Sequence, residues 1–432
     1  MAREMKDSGI EWIGEIPREW DIIPIKYLCS YNDEVLLEGT APDFTFDYIE
    51  IGSVEYGKGI VDMQHIQFAD APSRARRFVR ENDIIVSTVR TYLKAVAAIP
   101  YSDKPIVVST GFVVIRPKNV DPIFLRYAIL SDTTISLIES YSVGISYPAI
   151  NASQVVEFKI PIPKPKEQHA IADFLDNHCS HIDSVIEKTR AAIEEYKKLK
   201  QAVITQAVTK GIRPNREMKD SGIEWIGEIC EHFQILKLKK CLKHQLQYGA
   251  NESGVPFDSS LPRYIRITDI TIDGKLKSTG ALSLPEEVAK DYLLKHNDVL
   301  FARSGATVGK AFIYKTAYGK SAFAGYLIKA SLNERLLPDL LFYYTQSSIY
   351  EEWKNQIFVQ ATIQNIGADR YKDLPIILPP TDEQAEIASY LDEKTAAIDS
   401  LIQKKEQLIT ELEAYKKSLI YEYVTGKKEV LV

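Results

Sequence analysis

Met5-Lys6-Asp7-Ser8-Gly9-Ile10-Glu11-Trp12-Ile13-Gly14-Glu15-Ile16 and Met218-Lys219-Asp220-Ser221-Gly222-Ile223-Glu224-Trp225-Ile226-Gly227-Glu228-Ile229 are the same twelve residues written twice, 213 positions apart (218 minus 5). Twelve consecutive identities do not arise by chance, so the chain contains an internal duplication. A second matching pair, Glu167-Gln168 and Glu383-Gln384, recurs at 216 positions (383 minus 167). Nearly half of the chain therefore separates each copy from its twin, and every element is best assigned in pairs.

Working outward, each Glu-Gln pair follows a proline-rich stretch (Pro161, Pro163, Pro165; Pro375, Pro379, Pro380) and opens a long polar-apolar pattern that runs to a glycine, Gly211 or Gly426. Proline is excluded from helix interiors and glycine ends helices at little cost, so each stretch predicts one helix of about 44 residues, roughly 66 Å at 1.5 Å per residue. Thr381 with Gln384 forms a capping-box pattern, which Pro165 rules out in the first copy. In the second helix apolar residues fall at Ile387, Leu391, Ile398, Leu401, Leu408, Leu412, Tyr415 and Leu419, with Lys394 and Lys405 in the gaps of an alternating four-three spacing. The first helix gives the matching seam: Ile171, Leu175, Ile182, Val185, Ala192, Tyr196, Leu199 and Val203, with His178 and Thr189 in the gaps. This is a coiled-coil seam, and a one-striped helix needs a partner; the other copy is the nearest match, so the two are expected to pair within the chain.

Two stretches of about 140 residues remain, 22–160 and 235–374, each the size of a domain. Tyr48-Ile49-Glu50-Ile51 answers Tyr264-Ile265-Arg266-Ile267, Asn82-Asp83-Ile84-Ile85-Val86 answers Asn297-Asp298-Val299-Leu300-Phe301, and Gly111-Phe112-Val113-Val114-Ile115 answers Gly325-Tyr326-Leu327-Ile328-Lys329. These read as short buried strands. The segments between them differ: Thr88-Val89-Arg90-Thr91-Tyr92-Leu93-Lys94 stands against Arg303-Ser304-Gly305-Ala306-Thr307-Val308-Gly309-Lys310. Unlike loops on a shared scaffold suggest two related targets of unlike detail, although drift of surface loops would look the same.

A chain of 432 residues exceeds one hydrophobic core, and 45% hydrophobic with 26% charged residues is an ordinary globular composition. No run of 18 apolar residues appears and the first residues are polar, which points to a cytoplasmic protein with no membrane association. Cys29, Cys179, Cys230 and Cys241 form no CxxC pair and read as buried thiols. A net charge of -6 excludes a protein that holds DNA mainly by a large basic excess, so any DNA contact must be local or shared with partners.

Three chemical motifs fail on inspection. Gly305-Ala306-Thr307-Val308-Gly309-Lys310 is one residue short of a phosphate loop and is followed by Ala311, while Gly319-Lys320-Ser321 has Tyr314 where the opening glycine belongs. His169, His178, Cys179 and His181 could in principle ligate a metal, but their repeat equivalents Ala385, Lys394, Thr395 and Ala397 could not, so no metal site is expected. Neither a dinucleotide fingerprint nor the Asn-Pro-Pro-aromatic element of adenine methyltransferases occurs, and no catalytic residue is assigned.

The GIEWIGEI opening, the Asp-Ile-Ile-Val and Asp-Val-Leu-Phe-Ala-Arg-Ser-Gly strands, the PxPxEQ and PPxxEQ helix starts and the closing Ala-Val-Thr-Lys-Gly and Tyr-Val-Thr-Gly together resemble type I restriction-modification specificity subunits, over essentially the whole chain and twice over. The resemblance implies an α+β fold in which two mixed α/β target-recognition domains are separated by an antiparallel two-helix coiled coil with a pseudo-two-fold repeat. It divides the chain into an N-terminal segment 1–21, recognition domain 22–160, central helix 161–212, repeated segment 213–234, recognition domain 235–374 and C-terminal helix 375–432. It further implies a non-catalytic subunit that reads a bipartite, asymmetric site in double-stranded DNA and docks two methyltransferase and two restriction/translocase subunits. S-adenosylmethionine, ATP and Mg would then be used only by those partners.

Arg and Lys suit guanine, Asn and Gln suit adenine, and hydroxyls and cations hold phosphates. Loop placement nominates Thr88, Arg90, Lys94 and Tyr147 in the first domain, and Arg303, Ser304, Thr307, Lys310, Thr362 and Gln364 in the second. Arg74, Arg76, Arg77 and Arg80 form either a phosphate rail or a charged strand edge. Two other classes share part of the pattern: a coiled-coil scaffold whose domains bind protein, and an enzyme whose site is spatial rather than sequential.

Overall fold

The computed structural model describes residues 3–271, 274–358 and 364–430. They form two compact units, one from Met1–Thr189 with Gln407–Val432 and the other Arg190–Glu406. The stretch 22–160 falls wholly in the first unit and 235–374 wholly in the second, while each long helix contributes residues to both.

The duplication is visible element by element. Met5–Asp7 pairs with Glu15–Pro17 and Met218–Asp220 with Glu228–Cys230, each an antiparallel hairpin. The Asp7 carboxylate accepts the Gly9 N–H and Ser8 Oγ accepts the Ile10 N–H; Asp220 and Ser221 do the same for Gly222 and Ile223. Gly9 and Gly14, like Gly222 and Gly227, lie at φ near +70°, where a side chain is strained. Asp21–Pro24 pairs with Lys159–Ile162 and Gln234–Lys237 with Pro375–Leu378, so each domain's first strand is zipped to its last, just before a long helix.

Each unit then carries a four-stranded sheet in the same order. In the first it runs Val96–Ala98, Ile84–Ser87, Phe112–Pro117, Cys29–Tyr31; in the second, Ala311–Ile313, Val299–Ala302, Leu327–Ala330, Gln247–Tyr248. The strand next to the edge is buried at every position in both, which explains its unbroken apolar run. A second sheet holds a parallel pair, Thr45–Ile49 with Ile106–Ser109 and Arg263–Ile265 with Ser321–Phe323.

The long helices run Pro165–Lys210 and Thr381–Val424, and both end on a left-handed glycine, Gly211 or Gly426. In the first unit Ile171, Leu175, Cys179, Ile182 and Ile186 join Leu419, Ile420 and Val424 in one core with the sheet residues Ile84, Val86, Val113 and Ile115. In the second, Ile204, Ala207 and Val208 join Ile387 and Leu391 with Val299, Phe301 and Ile328. At roughly 1.5–3 kcal/mol per buried aliphatic side chain, the helices are structural walls of the domain cores. They run antiparallel in each unit. Lys416 bridges Asp183 at 2.6 Å and Tyr423 packs on Phe174 in the first; Lys200 bridges Asp399 at 2.7 Å and Lys405 lies over Tyr196 in the second. In each unit the numbers of the bridged residues add to 599.

The seam follows a different phase from the one expected. Ile171, Leu175, Ile182, Ile387, Leu391, Ile398 and Leu419 are buried, and Tyr196, Val203 and Leu412 half-buried. Val185, however, is only half-buried, and Leu199, Leu401, Leu408 and Tyr415 are exposed by 39–52%. The inward positions lie one residue later: Ile186, Ile193, Ile402, Ile409 and Lys416. The reason is a four-four-three step at the start of each helix, 171-175-179-182 and 387-391-395-398, whose average spacing of about 3.67 residues stays near the roughly 3.6 of a straight helix before heptad spacing resumes. Cys179 and Thr395, rather than His178 and Lys394, therefore fill the seam. The buried hydroxyls of Thr189 and Thr395 donate to the carbonyls of Val185 and Leu391 one turn back.

The expected capping box is also absent. The second long helix already includes Thr381, and Gln384 is turned inward, donating to the Pro379 and Arg335 carbonyls and accepting the Leu337 N–H at 2.8 Å. Gln168 does the equivalent, donating to Pro163 and accepting from Asp121. Each glutamine thus fastens the start of a domain helix, Pro122–Leu130 or Pro338–Tyr344, to the foot of a long one. The neighbouring Glu167 accepts from Arg3 and Trp20, and Glu383 faces Arg216 and His232. The four cysteines are buried and free, and burial pushes the Cys29 thiol up to about 12.

Candidate nucleic-acid interface

In the first unit the strand Ile84–Ser87 runs into a turn at Thr91–Leu93 flanked by Arg90 and Lys94, both in the left-handed region at φ 52° and 51°. A non-glycine residue there costs roughly 1–2 kcal/mol and persists only when its surroundings hold it. Here a second loop, 141–150, does so. Val89 bridges Ala149, the Thr91 N–H donates to Pro148, the Thr91 hydroxyl donates to Ser142, and the Ile150 N–H donates to the Thr88 carbonyl. The outward face carries Arg90 stacked 5.4 Å over the Tyr147 ring, with Val143 80% and Ile145 fully exposed beside them.

The second unit builds the same bracket. Ser304 bridges Asn365 and the Ile366 N–H donates to the Arg303 carbonyl. The paired positions match across the duplication: Thr88 with Arg303 at 215 (303 minus 88), and Ile150 with Ile366 at 216 (366 minus 150). The side chains differ. Arg303 lies 4.9 Å over the Tyr248 ring, and Asn365 Oδ1 is 3.5 Å from its Nε. Arg303 makes no ion pair among the described residues, so the guanidinium keeps most of its donors for a ligand.

The nominated residues separate into outward-facing side chains and braces. Arg90, Tyr147, Arg303, Ser304, Thr307 and Gln364 reach the outward face, each at least partly exposed. Lys310 is half-buried beside the cationic Lys354; burial and that like charge lower its pKa, leaving it short of an anion. Thr88 is a correction: it is buried and its hydroxyl donates to the Gly111 carbonyl at 2.8 Å, because an inward rotamer closes the loop onto the sheet. Lys94 is partly exposed and paired with Glu139 at 3.0 Å. Thr362 lies outside the described residues. Tyr248, Asn365 and Glu139 were not nominated; each is distant in sequence from the residue it contacts, and local pattern carries no trace of such pairs.

The arginine cluster is a charged strand edge. Arg76 and Arg77 belong to Ala75–Val79, the last strand of its sheet, with Arg76 over Phe68 and Arg80 paired to Glu34. His178 stacks on Phe174 at the surface, whereas Cys179 points into the seam, so the two diverge. Among the described residues no three potential ligands gather around one point. The short phosphate-loop lookalike forms a single turn at Gly305–Thr307, and the Gly309 carbonyl accepts from the buried Tyr350 hydroxyl instead of facing a ligand.

The structure is thus that of a duplicated α+β protein with a loop bracket at the same strand end in each half. The type I restriction modification DNA specificity domain matches residues 17–195 and 261–411, most of the chain, and the chain therefore belongs to that family as a type I specificity subunit. It is 24% identical to the type I restriction enzyme MjaVIII specificity subunit of Methanocaldococcus jannaschii, covering 96% of this chain and 94% of that one. It is 22% identical to the EcoKI specificity subunit of Escherichia coli over 90% and 84%. Among solved structures, a chain from work on complex assembly and conformational transition of the type I R-M system has the same fold, with a TM-score of 0.74, 21% identity and coverage of 96% and 99%. The HsdS subunit of Thermoanaerobacter tengcongensis gives 0.51, 22%, 96% and 98%.

Proposed function

We propose that this chain reads a bipartite, asymmetric sequence in double-stranded DNA, one half-site per unit, on behalf of methyltransferase and restriction/translocase subunits that bring S-adenosylmethionine, ATP and Mg. It contributes no catalytic group and acts in the cytoplasm, where the DNA and those subunits are. The observation that carries this reading is the loop bracket built twice on one backbone frame with different outward side chains: a constant mount with variable contacts is what two unlike half-sites require. Arg303 is free to make a bidentate contact with guanine, and Lys310 suits a phosphate. With a net charge of -6, affinity must come from such local groups together with partner subunits.

Gel shifts on randomised duplexes, with and without a co-expressed methyltransferase subunit, test it. Selection of two fixed half-sites around an unselected spacer is expected. Recovery of random sequence, or a single contiguous motif, would overturn the reading.

A further inference from the structure

The second loop of the first unit ends in an apolar tip on a fixed ribbon. Val143 and Ala149 exchange both backbone hydrogen bonds, at 2.9 and 3.0 Å, and Ala149 also bridges Val89, so three short segments close off residues 144–148. Gly144, at φ +117°, admits no side chain, because a Cβ there would lie 3.0 Å from the Tyr147 carbonyl oxygen. Pro148 then restricts the way out of the turn. On this tip every second residue is apolar or aromatic and turned to solvent: Val143 is 80% exposed, Ile145 fully and Tyr147 67%.

A lone exposed aliphatic side chain is ordinary; three on one braced tip form a surface. Its charge says what that surface meets. Neither 88–94 nor 141–150 contains an aspartate or glutamate. The nearby Glu139 is paired with Lys94, while Arg90 lies over Tyr147 and makes no ion pair among the described residues. An apolar tip beside an available guanidinium, with no carboxylate in either loop, is suited to a polyanion that also offers apolar groups. The major groove of DNA, roughly 12 Å wide, admits a two-stranded ribbon, and the apolar group on its base edges is the 5-methyl of thymine.

We propose that Ile145 reads thymine: the tip enters the major groove of the first unit's half-site and the isoleucine packs on a thymine 5-methyl group, with Arg90 hydrogen-bonding beside it. This rests on the proposed function and adds to it a base and the atom by which that base is recognised. The step of 216 residues puts Ala361 where Ile145 stands, outside the described residues, so a contact that needs the longer side chain belongs to one half-site.

The test takes the duplex selected by the wild-type chain with its methyltransferase subunit and replaces the thymines one at a time by deoxyuridine, which removes the methyl group and keeps the base pair. Wild type is compared with Ile145→Ala, and thermal melts of the two free chains should coincide because the side chain is fully exposed. At one thymine, in the half-site whose preference Arg303→Ala leaves unchanged, wild type should lose about fourfold in affinity, the effect of one methyl group withdrawn from an apolar contact. Ile145→Ala should bind the thymine and uracil duplexes equally there, and respond like wild type at every other thymine. If no thymine shows a wild-type loss that Ile145→Ala abolishes, the inference falls and the bipartite reading stands. Ile145→Ala that keeps its DNA selectivity but releases the methyltransferase subunit would make the tip a protein contact and overturn the inference as well. A wild-type chain that selects no bipartite site would overturn both.

Discussion

Thr88 and Arg303 hold the same place in the two halves, each lending its backbone carbonyl to the isoleucine of the second loop, yet one side chain turns in and the other turns out. The mount is constant because its backbone hydrogen bonds are indifferent to side-chain identity; the contact is variable because nothing in the mount specifies what points away from it. In the first unit the outward role passes to Arg90, which reaches the surface through a left-handed backbone and rests on Tyr147. In the second, the mounted residue itself does so, on Tyr248. The two units reach one arrangement, arginine over tyrosine, from different positions in the loop.

The largest effect should come from shortening both helices together. Removing 193–199 and 400–406 keeps every remaining pair at a constant sum and deletes one heptad from each strut. About 10 Å of rise is lost, roughly three base pairs of duplex, so the methylated motif should change its spacer or disappear. Methylome sequencing with an unchanged spacer would break the idea that the helices tie one reader to the other.

Next comes the pair of buried glutamines. Gln384 makes three hydrogen bonds and is fully buried, whereas Gln168 makes two. Replacing either by alanine strands buried backbone groups at about 1–3 kcal/mol each, so Gln384→Ala should destabilise by about 2–4 kcal/mol and Gln168→Ala by less. Denaturant melts with equal losses would show that the two feet are more alike than their hydrogen bonds.

Arg303→Ala should remove about 1–3 kcal/mol of base discrimination in one half-site only, read by binding selection on randomised duplexes. Thr88→Val, at the equivalent mount, should cost about 1 kcal/mol of stability and leave sequence preference intact. Altered preference in Thr88→Val would make that residue a reader and erase the difference between the two mounts.

The duplication, the paired strands and the existence and pairing of both long helices were legible in the sequence, because twofold repetition supplied an internal control for each; their antiparallel sense came only from the family resemblance. The seam's phase was not: exposed Leu199, Leu401 and Leu408 sit next to buried or half-buried Ile186, Ile193, Ile402 and Ile409 in a stretch rich in aliphatics, so hydropathy alone admits either stripe. The repeat could not correct this, since both copies shift together. Of the candidate contacts, polar type and loop position could not tell the outward Arg90 from the buried Thr88 or the ion-paired Lys94. That difference lies in Glu139 and Gly111, which approach only in three dimensions.

Lys310 offers the finest discrimination between positioning and reading. Its pKa is lowered first by burial and then by Lys354, so the folded state binds this proton less tightly than the unfolded chain does. The penalty is fully present below the depressed folded value and fades as pH rises towards the ordinary 10.5, so this group alone makes stability increase with pH across that window. A bound phosphate reverses the sign, since the anion favours the charged lysine and DNA affinity should fall as pH rises through the lowered pKa. Lys310→Met should therefore weaken binding equally across sequences, reduce the slope of log affinity against log salt by about one, and remove that pH dependence. Arg303→Ala should do the opposite, changing preference more than salt slope. Salt titrations of both variants on one matched and one mismatched duplex decide between the two roles. If the variants trade behaviours, Lys310 is the reader and Arg303 holds the backbone.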